Sequence, residues 1–236
     1  MAGGESTGDL SALRMQLGQL ANEVGALRDL HSIRKLQHAY GYYLDKCLYD
    51  EVVDLFSDQG EVRFMGGVFR GRAGLQRLYC DRFRRNFTGG HNGPVHGFLL
   101  DHLILQDIVD VAPDRASAFG RFRCFMQAGS HESRKSAVPH TPRQWWEGGI
   151  YENTYIPEDG LWKIRILNYR AIYHGLFEQG WAHTPPNFVP FFSKTHPEDP
   201  VGPDALIEPA PVLWPDTDVV PFHYTHPVTG RKWQAL

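Results

Sequence analysis

The first apolar residues of the chain recur at helical intervals. Leu10, Leu13, Leu17, Leu20, Val24 and Leu27 lie three and four residues apart, the a/d pattern of a coiled-coil seam. The same spacing also describes the apolar stripe of an ordinary amphipathic helix, so self-association and simple packing both stay open. Either way, a long helix is predicted from about Leu10 towards Cys47, with a change of pattern near His31. "YDEVVDLFSD" (49–58) predicts a second, short helix. The period then falls to two: "EVRFM" and "VFRG" alternate as strands around Gly66-Gly67, a tight hairpin signal. "GRAGLQRLYCDRFRRNF" (71–87) returns to helical spacing through Leu75, Leu78 and Phe83, and "TGGHNGP" breaks it.

From Val95 the chain reads as long strands. "VHGFLLDHLILQDIVDV" turns at Pro113-Asp114 into "RASAFGRFRCFMQAG". A polar insert, "SHESRKSAVPHTPR", precedes "QWWEGGIYENTYI", and the turn "PEDG" leads into "LWKIRILNYRAIYH". Helices followed by long antiparallel strands predict an α+β layout with the helices on one sheet face. After about His183 the chain becomes proline-rich, yet it keeps Phe188, Phe191, Phe192, Trp214, Phe222 and Tyr224. A disordered tail is poor in such rings, so an irregular arm is predicted to wrap the domain or a neighbouring subunit. Three parts follow: a helical, oligomerising extension (1–30), a central domain (31–182) and the aromatic arm (183–236).

Composition narrows the classes. A net charge of −3 gives no long-range attraction to nucleic acid or an anionic membrane. No apolar run reaches the length of a membrane span, and "MAGGESTGDL" has no signal-peptide core. Cys47, Cys80 and Cys124 are odd in number and lack metal-ligand spacing, so a reduced, cytoplasmic protein is expected. The histidines form no His-x-x-x-His set, and there is no Gly-rich phosphate loop and no Gly-x-Ser-x-Gly elbow. Neither a metal nor a cofactor is expected. Aromatic residues make up 13% of the chain, which hints at a cavity or core lined with rings.

The order helix, helix, hairpin, helix and four long strands resembles the SnoaL-like group of the nuclear transport factor 2-like superfamily. Three stretches carry the likeness: "YGYYLDKCLYDEVVDLFSDQGEVRFMGGVFRGRAGLQRLY", "VHGFLLDHLIL" and "EDGLWKIRIL". The resemblance spans about residues 31–180. It implies a cystatin-like, cone-shaped α+β barrel, in which a curved antiparallel sheet wraps the helices and leaves one deep apolar pocket. Scytalone dehydratase, ketosteroid isomerase, bile-acid dehydratase and polyketide cyclases are similar proteins and work without a cofactor. Relatives assemble as dimers or trimers, and a homotrimer is expected here. The N-terminal helix, the insert and the arm ending "FHYTHPVTG" also resemble bacterial catabolic SnoaL-like lyases. Among these are enzymes that release formaldehyde from lignin-derived diarylpropanes to give stilbenes.

"HAYGYYLDK" (38–46) carries the first site candidates. On a helical wheel Tyr40 and Tyr43 share a face with Ile33 and Leu36, while Asp45 falls almost opposite Tyr40. The resemblance implies a hydrogen-bonding role for Tyr40 in the pocket and pairs it with Asp45. It also places Phe64 where the steroid isomerase has its general-base aspartate, which argues against that activity. His96 matches the catalytic histidine of scytalone dehydratase, and imidazole titrates near neutrality. Alternation puts His96, Phe98, Leu100 and His102 on one strand face. Arg121 and Arg123 share a side with Phe119 and Phe125, to hold an anion or stack on a ring if inward, or to form a surface row if outward. Glu147, Gly149, Tyr151 and Asn153 form one side of a strand, but which side faces the pocket is not readable because Trp145-Trp146 straddles both. Asn168 and His174 are expected near the mouth.

The expected function is a cofactor-free lyase acting by acid–base elimination on a small phenolic, lignin-derived diol, with loss of water and, for a diarylpropane, formaldehyde. His96, Tyr40 and Asp45 are its catalytic set. Tyr43, Phe64, Arg121, Arg123, Tyr151 and Asn168 are its substrate contacts. The alternatives are a dehydratase, isomerase or cyclase on a polyketide- or steroid-like substrate, and a non-catalytic assembly module such as a dioxygenase small subunit.

Overall fold

The computed structural model describes residues 5–135, 142–186 and 189–234. Phe188 and residues 136–141 of the polar insert lie outside them. A single helix, α1 (Glu5–Asp45), runs through His31 without a break. Left-handed Cys47 (φ 54°) ends it, its N–H donating to the Leu44 carbonyl and that of Leu48 to Tyr43. α2 is Tyr49–Asp54. After Leu55 caps the helix, Phe56, Ser57 and Asp58 join β1 (Phe56–Phe64) rather than extending it. β2 is Gly67–Arg70, and the hairpin turn is Met65-Gly66, both at positive φ, one residue earlier than expected.

The third helical stretch starts as α3 (Gly71–Gln76), widens to a π-helical segment at Arg77–Phe83 and closes as α4 (Arg84–Thr88), where Gly89 adopts the left-handed conformation. Four long strands follow: β3 (Phe98–Val111), β4 (Ala118–Ser130), β5 (Gln144–Glu158) and β6 (Leu161–Leu176). Asp159-Gly160, again both at positive φ, makes the tight β5–β6 turn inside "PEDG". A short α5 (Gly180–His183) and a two-residue β7 (Ala205–Leu206) belong to the C-terminal stretch.

The strands form one curved, unclosed sheet in the order β3-β4-β5-β6-β1-β2-β7. Pairing is antiparallel except where β1 runs beside β6 in parallel, Val62 opposite Leu167. The helices fill the concave side. On β4 and β5 alternate residues point inward, including Phe122, Cys124 and Met126 on one and Trp145, Glu147 and Tyr151 on the other. A bulge after Gly148 and the missing side chains of Gly148 and Gly149 admit the Tyr173 and Tyr169 rings, which a Cβ would strike. A buried polar tie locks α1 to the sheet. The Gln37 Oε1 accepts from Asn153 Nδ2 at 2.9 Å and from the Tyr155 hydroxyl at 2.8 Å, and Asn153 Oδ1 accepts the backbone N–H of Asn168 at 2.9 Å.

The C-terminal stretch lies on its own domain. The Phe192 N–H donates to the Met65 carbonyl, and β7 pairs with β2. Trp214 N–H donates to the Ile172 carbonyl, and Arg121 holds the carbonyls of Val220 and Pro221 at 2.8 and 2.6 Å. Among the described residues, no helix is long and apolar enough to cross a membrane.

Candidate active site

Between the sheet and the helices lies a cavity of about 170 Å³. α1 gives it Tyr40 and Leu44, and β1 gives Val62 and Phe64. The π-helical segment turns Leu78, Tyr79 and Phe83 into it. The long strands add Leu100, His102, Met126, Glu147, Tyr151 and Tyr169. Pro142 of the insert and Val189-Pro190 of the arm complete the wall. The lining is mostly apolar, with its polar groups grouped in three places.

The first is a histidine–carboxylate pair. Asp45 leaves the end of α1 on the flank facing β3, where its carboxylate meets His102 Nδ1 at 2.6 Å and also accepts the His102 backbone N–H at 3.0 and 3.1 Å. Both side chains are about nine-tenths buried. In the neutral imidazole, donation of Nδ1–H to the carboxylate selects the tautomer whose Nε2 is an acceptor. His102 lines the cavity, so that nitrogen is the one available there.

The second is a tyrosine group. The Tyr40 and Tyr79 hydroxyls are 3.0 Å apart, and the Tyr40 and Tyr151 rings meet edge-on at 6.0 Å. Burial drives the phenols of Tyr40, Tyr79 and Tyr151 well above the ordinary tyrosine range. They are therefore held as O–H donors. The third is Glu147, whose carboxylate pairs with buried His174 Nε2 at 2.9 Å. Burial would raise the Glu147 pKa, but His174 and the Tyr169 hydroxyl outweigh it and hold the carboxyl below its usual value. One ionised carboxylate thus sits among protonated phenols.

Several sequence expectations meet here and others do not. Tyr40, Phe64 and Tyr151 line the cavity, and Phe64 stacks on Tyr169. Asp45 does not line it, but backs the residue that does. His96 is displaced: Gly97 at φ 71° ends the strand short of it, leaving the imidazole exposed and bonded to Ser133 Oγ at 2.8 Å. Tyr43 is half-buried against the core beside the cavity wall, not in it. Arg121 and Arg123 point from the convex face of β4. There Arg121 pairs with Glu152 under the Phe222 ring, and Arg123 bonds Gln106 at 2.6 Å. Asn168 contributes its backbone to the Gln37–Asn153 tie. The residues not expected in the pocket are His102, Tyr79, Tyr169 and Glu147, while His174, expected near the mouth, is buried against Glu147. Parity had already put His102 on the His96 face and Glu147 on the Tyr151 face, and that was their only signal.

A curved open sheet closing over helices around one hydrophobic pocket defines an NTF2-like protein with a cystatin-like fold. The model of the SnoaL-like domain matches residues 25–168, more than half of the chain, and the protein belongs to that family. Among solved structures, a type 2 hexachlorocyclohexane dehydrochlorinase (LinA) is 18% identical with a TM-score of 0.52, over 70% of this chain and 99% of its own. LinA itself is 16% identical with a TM-score of 0.51, over 73% and 99%. A scytalone dehydratase-like protein from Novosphingobium aromaticivorans is 20% identical with a TM-score of 0.49, over 63% and 87%. A search of curated proteins returns no match.

Proposed function

We propose that the protein is a cofactor-independent lyase that performs acid–base elimination on a small phenolic diol. The observation that carries this reading is His102, tied through Nδ1 to Asp45 and facing a tyrosine-lined apolar cavity with Nε2. His102 is the general base and Asp45 its positioning residue, stabilising the imidazolium that forms. The Tyr40–Tyr79 hydroxyl pair has a proton to spare beyond its mutual bond, and offers it to the departing oxygen. Ionised Glu147 accepts a hydrogen bond from a substrate hydroxyl. Apolar walls exclude water and strengthen each of these contacts.

In the dehydrating form, Nε2 takes a proton from carbon, the C–H pair becomes the new double bond, and the neighbouring hydroxyl leaves as water. In the deformylating form, Nε2 takes the proton of a hydroxymethyl O–H. The C–C bond then breaks to release formaldehyde, its electron pair forms the alkene, and water again departs. Dehydrochlorination, the reaction named for the similar LinA structures, is an elimination of the same kind. Size bears on substrate. A cavity of about 150 Å³ holds a benzene ring, so about 170 Å³ suits one substituted ring. A diarylpropane would place its second ring against the wall made by Pro142, Val189 and Pro190.

Incubation with phenolic monoaryl and diarylpropane diols, reading product mass and released aldehyde together, tests the proposal. Loss of water, with or without formaldehyde, supports it. Turnover at constant mass favours an isomerase or cyclase instead. No turnover across the panel, together with a stable hetero-complex on pull-down, favours an assembly module.

A further inference from the structure

The N-terminal part of α1 stands clear of the domain. Residues 9–24 are exposed throughout, and burial begins at Gly25, over which Arg115 lies. Yet this free stretch carries the regular apolar series: Leu10, Leu17 and Val24 at a, Leu13, Leu20 and Leu27 at d. All six are exposed, by 39 to 66%. A narrow two-in-seven stripe is what a coiled-coil seam presents, whereas a helix packing on a globular core shows a broader face. Isolated helices of this length are marginal in water, so such a stripe needs a cover.

The flanking charges identify the cover. Counting from Leu10 as a, the g positions are Asp9, Gln16 and Glu23, and the e positions are Arg14, Ala21 and Arg28. In a parallel pair each g residue faces the e residue of the next heptad on the neighbour. Asp9 then meets Arg14 and Glu23 meets Arg28 on the neighbouring copy. An antiparallel pair would set acid against acid and arginine against arginine. We infer that residues 9–28 form a parallel, in-register coiled coil with the same segment of further copies of this chain. The bodies then share one axis, with their cavities on the same side of the assembly.

A Leu13→Cys variant of the full chain tests this. Parallel register brings the two thiols within disulfide reach, whereas antiparallel alignment sets position 13 opposite position 24, about 16 Å along the axis. Mild oxidation is expected to crosslink the variant, with wild type, whose cysteines are buried or half-buried, as the baseline. Adding Asp9→Arg and Glu23→Arg is expected to abolish the crosslink, and so is adding Arg14→Glu and Arg28→Glu. Mixing these two variants is expected to restore it as a mixed species. No crosslink in a folded Leu13→Cys protein overturns the inference, as does equal self-crosslinking of both charge-reversed variants. None of these positions touches the cavity, so turnover reads the proposed function separately.

Discussion

Two histidines six residues apart on one strand face illustrate what decides a site at the residue scale. His96 and His102 have the same parity, and both sit next to apolar neighbours. What separates them is Gly97, whose left-handed φ of 71° stops β3 before His96 can enter the cone. No periodicity argument sees that turn. Asp45 is the converse case. The helical wheel correctly set it away from Tyr40, but a wheel knows only inside and outside. Its third option was β3 alongside α1, close enough at Gly41 that Ile104 fills the space of a Cβ. His102→Ala is therefore expected to lower kcat/KM on the accepted substrate by about 10²–10⁴-fold, while His96→Ala leaves it unchanged. Steady-state kinetics on folded variants checks both, and the reverse ranking would return the base to His96.

At the scale of elements, β4 shows why strand direction was unreadable. One face carries Phe119, Arg121, Arg123 and Phe125, the other Phe122, Cys124 and Met126, and both hold rings. The sheet turned the arginine face outward, where the C-terminal arm covers part of it. Proline removes periodicity from that arm, so its docking depends on partners distant in sequence. Arg121 is the chief one: it binds Glu152 and the carbonyls of Val220 and Pro221, while His223 stacks on Phe119 and also reaches Glu152. Removing the arginine leaves part-buried Glu152 with His223 alone and strips the Val220 and Pro221 carbonyls of their donor. Arg121→Met is expected to cost about 3 kcal/mol of unfolding free energy and to expose the arm to limited proteolysis. Turnover of the folded fraction should persist. Lost turnover with unchanged stability would restore Arg121 to the substrate contacts. By contrast, the long helix, the hairpin, the third helix and the four strands were legible, because each has either a clear period or a glycine-marked turn. Only their ends moved, by up to five residues, most at the starts of α1 and β1.

At the scale of the whole molecule, the interior is defined by groups held in opposite protonation states. The phenols of Tyr40, Tyr49, Tyr79, Tyr151, Tyr155 and Tyr169 are all raised, with burial as the largest cause. A raised folded pKa means the fold favours the neutral phenol. That stabilisation is complete below the unfolded value, about pH 10, and is lost as pH climbs from there towards the folded values. Glu147 works in the other direction. Its folded pKa is lowered, so its contribution is present above the ordinary glutamate value and fades as pH falls through the folded one. Unfolding free energy measured against pH should therefore show a plateau bounded by these two flanks. Above about pH 10, tyrosinate absorbance from the buried set should appear together with loss of structure rather than before it. Glu147→Gln should soften the acid flank and leave most of the alkaline one in place, because burial is the largest cause for each of these phenols and Glu147 adds only to Tyr169 among them. If the buried phenols instead ionised in the folded protein near their ordinary value, water would reach them freely. The dry cavity on which His102 and Glu147 rely would then not exist.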